Sequence, residues 1–400
     1  MDRPLRVAYI THYTELYGAN RSLLDLMHAL RGHHGVVPQV IVPRPGDLTV
    51  ELDRSGIPWA VIPFVPWMSE RRYSGRWYHR IMQRVRFLRE ARGRIASNNA
   101  VLPKLFLQFD EWGIDVIHLN SAAVGLASLL MRNSERPIVW HIREMPEAHY
   151  GLLVDGGQAR YADALRNAQH VIAISEAVVA DVREQATHLE HISCIPDGVL
   201  SEERFGELAG HVRAPRTEAR PFTFLQVGLI HPSKGQTEAV EALAILRDRG
   251  IDARLIIAGG GRDQVLRGLI VDRGLTGVVE LRGFVSDPFP LYHEADALLM
   301  CSRHEALGRV TIEAMASGLP VIGHRSGATT EVLEQGRVGM LYEGGADALA
   351  DRMSELMVNA TMRASLIGNA RASAAQRFTT ERCGAAVMQV YRSVLGGHGN

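Results

Sequence analysis

Apolar residues return in two rhythms along this chain. Short, nearly uninterrupted apolar runs (RVAYI, PQVIVP, WAVIPF, DVIHLN, IVWHI, HVIAIS, HISCIP) alternate with stretches such as RSLLDLMHALR, AAVGLASLLMRN and YADALRNA, whose apolar positions recur every three or four residues. A run without polar alternation predicts a strand covered on both faces, and the longer period predicts the helices that cover it. The first half therefore reads as a doubly wound parallel sheet. Between about Leu200 and Pro221 the sequence LSEERFGELAGHVRAPRTEARP is charged and loses the rhythm; it resumes with FTFLQVGLI, TEAVEALAILRDRG, ARLIIAG, QVLRGLIVDRG, VVELRGF, ALLMC, RVTIEAMASG, PVIGH and GMLYE. Two Rossmann-like α/β domains are predicted, over residues 1–205 and 222–379, with a linker over 206–221. A helix over about 380–400, in ERCGAAVMQVYRSVL, is expected to pack back on the first domain. Tandem domains of this kind bind ligands in the cleft between them, at the carboxyl ends of their strands.

Charge changes this picture little. Forty-four basic residues balance 44 acidic ones, so no nucleic-acid partner is expected. The three cysteines, Cys194, Cys301 and Cys383, are far apart and fit neither a disulfide framework nor a zinc site. The amino-terminal MDRPLRVAYITHY is too short for a signal segment, and no run approaches the ~18 apolar residues that span a bilayer. A cytoplasmic location is expected. One compositional oddity remains: only two of the basic residues are lysines, Lys104 and Lys234. Lys234 stands in VGLIHPSKGQ, between a strand and a helix, and a flexible ammonium is not interchangeable with a planar guanidinium. That position points to function.

Glu305 and Glu313 lie in SRHEALGRVTIEAMASGLPVIG, which leaves a strand, turns through glycine and enters a helix near Arg309. Glu305 is expected in the loop and Glu313 one turn into the helix, so both can point toward the helix amino end. That end holds anions through its unsatisfied N–H groups and its dipole. Carboxylates beside it suit hydroxyl pairs. From these residues alone, a helix-capping role for Glu313 and a solvated Glu305 stay open and are the simpler reading.

The succession VGLIHPSKG, IIAGGG, LRGFV, LYHEADALLMCSRHEALGRVTIEAMASGLPVI and SGATTEVLEQGRVGMLYEGG resembles the retaining GT-B glycosyltransferases of family 4, and the two glutamates eight apart reproduce that family's E-x7-E motif. More loosely, ITHYTELYGANRSLLDLMHAL is similar to its glycine loop and first helix, and HVIAISEAVVADV to CIPDGV to its last strand pair before the linker. The resemblance implies a GT-B architecture and transfer of a sugar from a nucleoside-diphosphate sugar to a hydroxyl acceptor on a glycan, a lipid carrier or a small molecule. It implies Glu313 on the ribose, Glu305 on the sugar hydroxyls, Lys234 on the diphosphate, the backbone of Gly308, Arg309 and Val310 around the phosphates, and Phe284 and Val285 at the base. Gly18, ahead of Asn20 as a plausible helix cap, matches the loop that closes on the donor. No cofactor or metal is implied, and no D-x-D occurs in the chain. A non-catalytic, nucleotide-sugar-binding subunit is the alternative.

Two positions depart from that family. Leu229 stands where an arginine usually does, and Arg309, or less readily Arg303, is the candidate substitute. In PIVWHIREM the family's histidine position holds Arg143, so His141 is expected to face the sugar, a buried structural histidine being the competing reading. Residues 70–94 carry nine arginines, with Trp77, Ile81, Val85 and Leu88 at helical spacing. This basic amphipathic segment either packs its apolar stripe on the domain or lies on an anionic membrane surface, which would make the protein peripheral at the inner face.

Overall fold

The computed structural model describes residues 3–70, 76–210 and 220–396. The chain divides into two compact units, one of residues 1–198 with 380–400, the other of Val199–Thr379. The first contains β1 (Arg6–Ile10), β2 (Val37–Val42), β3 (Trp59–Val61), β4 (Met68–Glu70), β5 (Val116–Leu119), β6 (Ile138–Ile142), β7 (Leu152–Val154), β8 (His170–Ala173) and β9 (Ile192–Cys194). Seven of these form a parallel sheet in the order β3-β2-β1-β5-β6-β8-β9, while β4 and β7 pair separately as an antiparallel ribbon. The second unit contains β10 (Phe222–Val227), β11 (Ala253–Ala258), β12 (Val279–Gly283), β13 (Ala297–Met300), β14 (Val321–His324) and β15 (Met340–Tyr342), all parallel, in the order β12-β11-β10-β13-β14-β15. Residues of β1, β5, β6, β13 and β14 are almost all buried, as continuous apolar runs require when helices cover both faces. In each sheet the strand order reverses once, between β1 and β5 and between β10 and β13. At such a reversal the loops leave in opposite directions and open a crevice at the strand carboxyl ends.

Two boundaries differ from the sequence-based expectation. The stretch expected to begin the linker folds as a helix, Glu202–Gly210, burying Phe205 and Leu208 in the second unit, so the first unit ends at Gly198 rather than 205. Only those two apolar positions, three apart, betray the helix inside a charged segment; residues 211–219 of the expected linker lie outside the described residues. The final helix, Thr380–Gly396, packs in the first unit against the helix Gly18–His34, where Val387, Tyr391 and Val394 join Leu26 and Leu30 in one core.

A buried polar network fixes that final helix. Tyr391 donates from its hydroxyl to His118 Nδ1 at 2.8 Å or to Tyr9 at 3.2 Å, and all three side chains are fully buried. Removing the hydroxyl leaves polar groups of Tyr9 and His118 with less satisfaction in the interior. Tyr391→Phe is therefore expected to cost about 1–3 kcal/mol. All five tryptophans fall in the first unit, so fluorescence-monitored urea unfolding follows that unit, and an unchanged midpoint would refute the assignment.

Candidate functional site

The strand-order reversal of the second sheet sets the site. β10 and β13 are adjacent, and the loop after each carries one charged residue of interest. After β10 the chain turns through the short helix Pro232–Lys234, with Gln226 donating to the Lys234 carbonyl at 2.7 Å and Ser302 to the Ser233 carbonyl at 3.2 Å. Gly235 follows in a left-handed conformation, φ +69°, and a Cβ there would fall 2.6 Å from the Cys301 carbonyl oxygen. After β13, Glu305 is held by its backbone: its carbonyl accepts from Ala328 N–H at 2.8 Å, and Gly327 lies so close that a Cβ would meet the Glu305 carbonyl at 2.6 Å. The two loops bring Lys234 Nζ within 2.7 Å of Glu305 Oε2, an ion pair whose side chains are 20% and 13% exposed.

The helix Arg309–Ala316 begins four residues later, and its cap, Gly308, has no side chain to offer. Glu313 is buried and leans toward the helix start, as helical side chains do. Tyr292 donates to its Oε2 at 2.7 Å, and its Oε1 is 3.9 Å from Arg309 Nε. Glu313 is thus no helix cap. Arg309, expected to stand toward a diphosphate, reaches the Val199 carbonyl at 3.3 Å and lies along Glu313. Arg303 donates to Glu238 and to the Gly344 carbonyl, each at 3.2 Å. Phe284 and Val285 are not strand residues: β12 ends at Gly283, leaving Phe284 66% exposed just beyond the strand's carboxyl end. Leu229 is exposed as well, after β10.

In the first unit, Gly18 opens its helix and is exposed, but Asn20 does not cap it; Tyr17 holds the cap position. Asn20 is instead buried inside the first turn, donating to the carbonyls of Tyr13 and Glu15 and accepting from Thr11. It shapes the loop before the helix, because that loop curls back over the helix start. Asn120, at the end of β5, donates to the Ala19 carbonyl at 3.2 Å and accepts from Arg143 at 2.8 Å.

His141, expected to face the sugar, is enclosed: it is 0% exposed, with Nδ1 3.3 Å from His118 and 3.2 Å from Arg143, and Nε2 3.7 Å from Asp197. Burial, then the Arg143 charge, hold it well below the ordinary histidine range. So enclosed, His141 fits the buried structural reading rather than a side chain open toward a sugar. His141 and Arg143 do share a strand face, and Arg143 is itself buried against Asp197.

Sequence reasoning missed Tyr292, the Gly327–Ala328 grip on Glu305 and the polar network around Arg143. Nothing local marks a hydroxyl 21 residues away as the partner of Glu313. The arginine-rich helix, Trp77–Ala100, is anchored in its second half, where Asn98 binds the Val65 and Gly125 carbonyls and Arg94 grips Asp155. In its first half Trp77, Ile81, Met82, Val85 and Leu88 are 48–73% exposed. The alternative in which this stripe packs on its own domain is therefore not what the fold does.

Comparisons with known proteins agree with this architecture. Residues 17–203 match the family described as Glycosyltransferase Family 4, and residues 212–373 match Glycosyl transferases group 1. The D-inositol 3-phosphate glycosyltransferase of Paenarthrobacter aurescens is 28% identical over 301 residues, 72% of this chain and 69% of that one. A GDP-mannose-dependent alpha-(1-6)-phosphatidylinositol monomannoside mannosyltransferase of Mycobacterium tuberculosis is 36% identical over 155 residues, 36% of this chain and 40% of that one. Among solved structures, Anabaena HepE in complex with UDP-glucose has a TM-score of 0.75 at 21% identity, covering 97% of this chain and 100% of that one. With both halves matched in chain order, the chain belongs to the GT-B glycosyltransferases of family 4 and group 1, and it is a glycosyltransferase.

Proposed function

We propose that the protein transfers a sugar from a nucleoside-diphosphate sugar to a hydroxyl acceptor, with retention at the anomeric carbon and without a divalent metal. The observation that carries this reading is the Lys234–Glu305 pair at the β10/β13 reversal, beside the start of the helix Arg309–Ala316. Lys234 meets the diphosphate, and Glu305 is released from it to accept hydrogen bonds from the sugar hydroxyls. The backbone at Gly308, Arg309 and Val310 faces the phosphates, with the helix dipole favouring their charge. Glu313 takes the ribose, and Phe284 with Val285 the base. HepE, crystallised with UDP and UDP-glucose, and a relative named for GDP-mannose support a nucleoside-diphosphate donor.

In the reaction the bond between anomeric carbon and phosphate oxygen breaks, and the acceptor oxygen bonds to that carbon on the same face. The acceptor proton passes to the departing phosphate. Fixed positive groups aimed at the leaving diphosphate supply the main stabilisation. Glu305 is given no nucleophilic role, and the two-carboxylate glycosidase scheme does not apply.

We further propose that the first half of the helix Trp77–Ala100 seats on an anionic membrane surface. Its exposed apolar stripe is flanked by Arg80 and Arg84 on one side and Arg86 and Arg89 on the other, the pattern of a helix lying in the interface plane. Each arginine near such a surface contributes about 1 kcal/mol.

Lys234→Ala is expected to lower kcat about 10²–10³-fold, the scale for one lost transition-state contact. Lys234→Arg is expected to restore only part of it, because a planar fork does not replace a compact ammonium. Arg309→Ala is expected to lower turnover about as severely; an unaffected variant would remove Arg309 from the diphosphate. Nuclear magnetic resonance of the product should show the donor's anomeric configuration, and activity should persist in EDTA. Inversion, or loss of activity restored by magnesium, would overturn the mechanism. At low salt the protein should float with phosphatidylglycerol-containing liposomes and not with phosphatidylcholine alone; Ile81→Glu with Val85→Glu should abolish flotation. Equal flotation of that variant would end the membrane reading.

A further inference from the structure

Glu313 is a buried carboxylate with two competing partners. Tyr292, on the short helix Phe289–Glu294, is fully buried and donates to Oε2 at 2.7 Å, its ring steadied edge-on by Phe289 with centroids 5.6 Å apart. Arg309, one helical turn before Glu313, has Nε 3.9 Å from Oε1, at the outer limit of an ion pair. A buried carboxylate beside a guanidinium is drawn into a short bidentate pair unless something else holds it. The phenol holds the carboxylate, while Arg309 for its part reaches the Val199 carbonyl at 3.3 Å.

We infer that Tyr292 is a positioning residue for nucleotide recognition: it fixes one oxygen of Glu313, keeps the carboxylate from collapsing onto Arg309, and so leaves Oε1 presented to the vicinal hydroxyls of a ribose. The inference rests on the reading of Glu313 as the ribose residue. Without the Tyr292 hydroxyl, Glu313 closes on Arg309 and its preference for a ribose over a sugar lacking both hydroxyls falls. The ring itself stays in the core, so Tyr292→Phe keeps the packing.

The test is calorimetric binding of UDP, GDP and ADP to the full chain, followed by the 2′,3′-dideoxy counterpart of whichever binds tightest. Wild-type protein should prefer the ribonucleotide. Tyr292→Phe should reduce that preference about tenfold, the scale of one charge-assisted hydrogen bond, with dideoxynucleotide affinity unchanged. In a Glu313→Gln background, Tyr292→Phe should have no further effect on the preference. If Tyr292→Phe weakens both nucleotides equally, or leaves the preference intact while Glu313→Gln removes it, the positioning role is overturned. If the wild type shows no preference, or Glu313→Gln retains it in full, the ribose reading of Glu313 itself fails, and the inference with it.

Discussion

The site depends on how closely two loops approach at the centre of the second sheet. Adjacent parallel strands lie about 4.8 Å apart, and the chains leaving β10 and β13 must pass with no room for a side chain between them. Gly235, against the Cys301 carbonyl, is where that room runs out, and Gly327, after β14, closes on Glu305 from another loop. A methyl group at Gly235 would push apart the segments that bear Lys234 and Glu305, and one at Gly327 would displace the Glu305 backbone. Burial raises the Cys301 thiol to about 12, so it fills space at this junction as an inert, neutral group. The ion pair is thus a consequence of backbone packing.

The first unit uses its own reversal differently. Where β1 and β5 meet, the interior is polar: His118, His141, Arg143, Asp197 and Asn120 are all buried and linked. Arg143 and Asp197 neutralise each other, and the two histidines stay neutral because burial and the neighbouring guanidinium both oppose protonation. Through Asn120 this network reaches the carbonyl of Ala19, directly after Gly18. The position of the glycine-bearing loop is consequently set by groups several residues away on other strands, and by Tyr391 on a helix that returns from the far end of the sequence.

What could be read from the sequence follows from burial. Strands covered on both faces must be apolar throughout, and this is why β1, β6 and β10 stand out as RVAYI, IVWHI and FTFLQV. The ribbon of β4 and β7, three residues each and only partly buried, has no comparable signature. Glu305, Glu313 and Lys234 were legible as candidates because their types and spacings suit phosphate and hydroxyl chemistry. Their partnerships were not. Lys234 and Glu305 are 71 residues apart, and Tyr292 and Glu313 are 21 apart; only the folded sheet brings them together. His141 shows the opposite limit, because strand alternation gives the face a side chain takes but not whether that face is covered.

The scarcity of lysine has a practical side. Lys104 is exposed on the helix Leu102–Trp112, and Lys234 is sheltered beside Glu305. These are the only side-chain primary amines in the sequence, and they differ in accessibility and in electrostatic setting. Among side chains, amine-selective acylation therefore distinguishes just two positions, one an internal control on the first unit and the other a reporter inside the second. Shielding of Lys234 relative to Lys104 measures how far its ammonium is engaged, by a peptide-mapping ratio that needs neither turnover nor a labelled ligand.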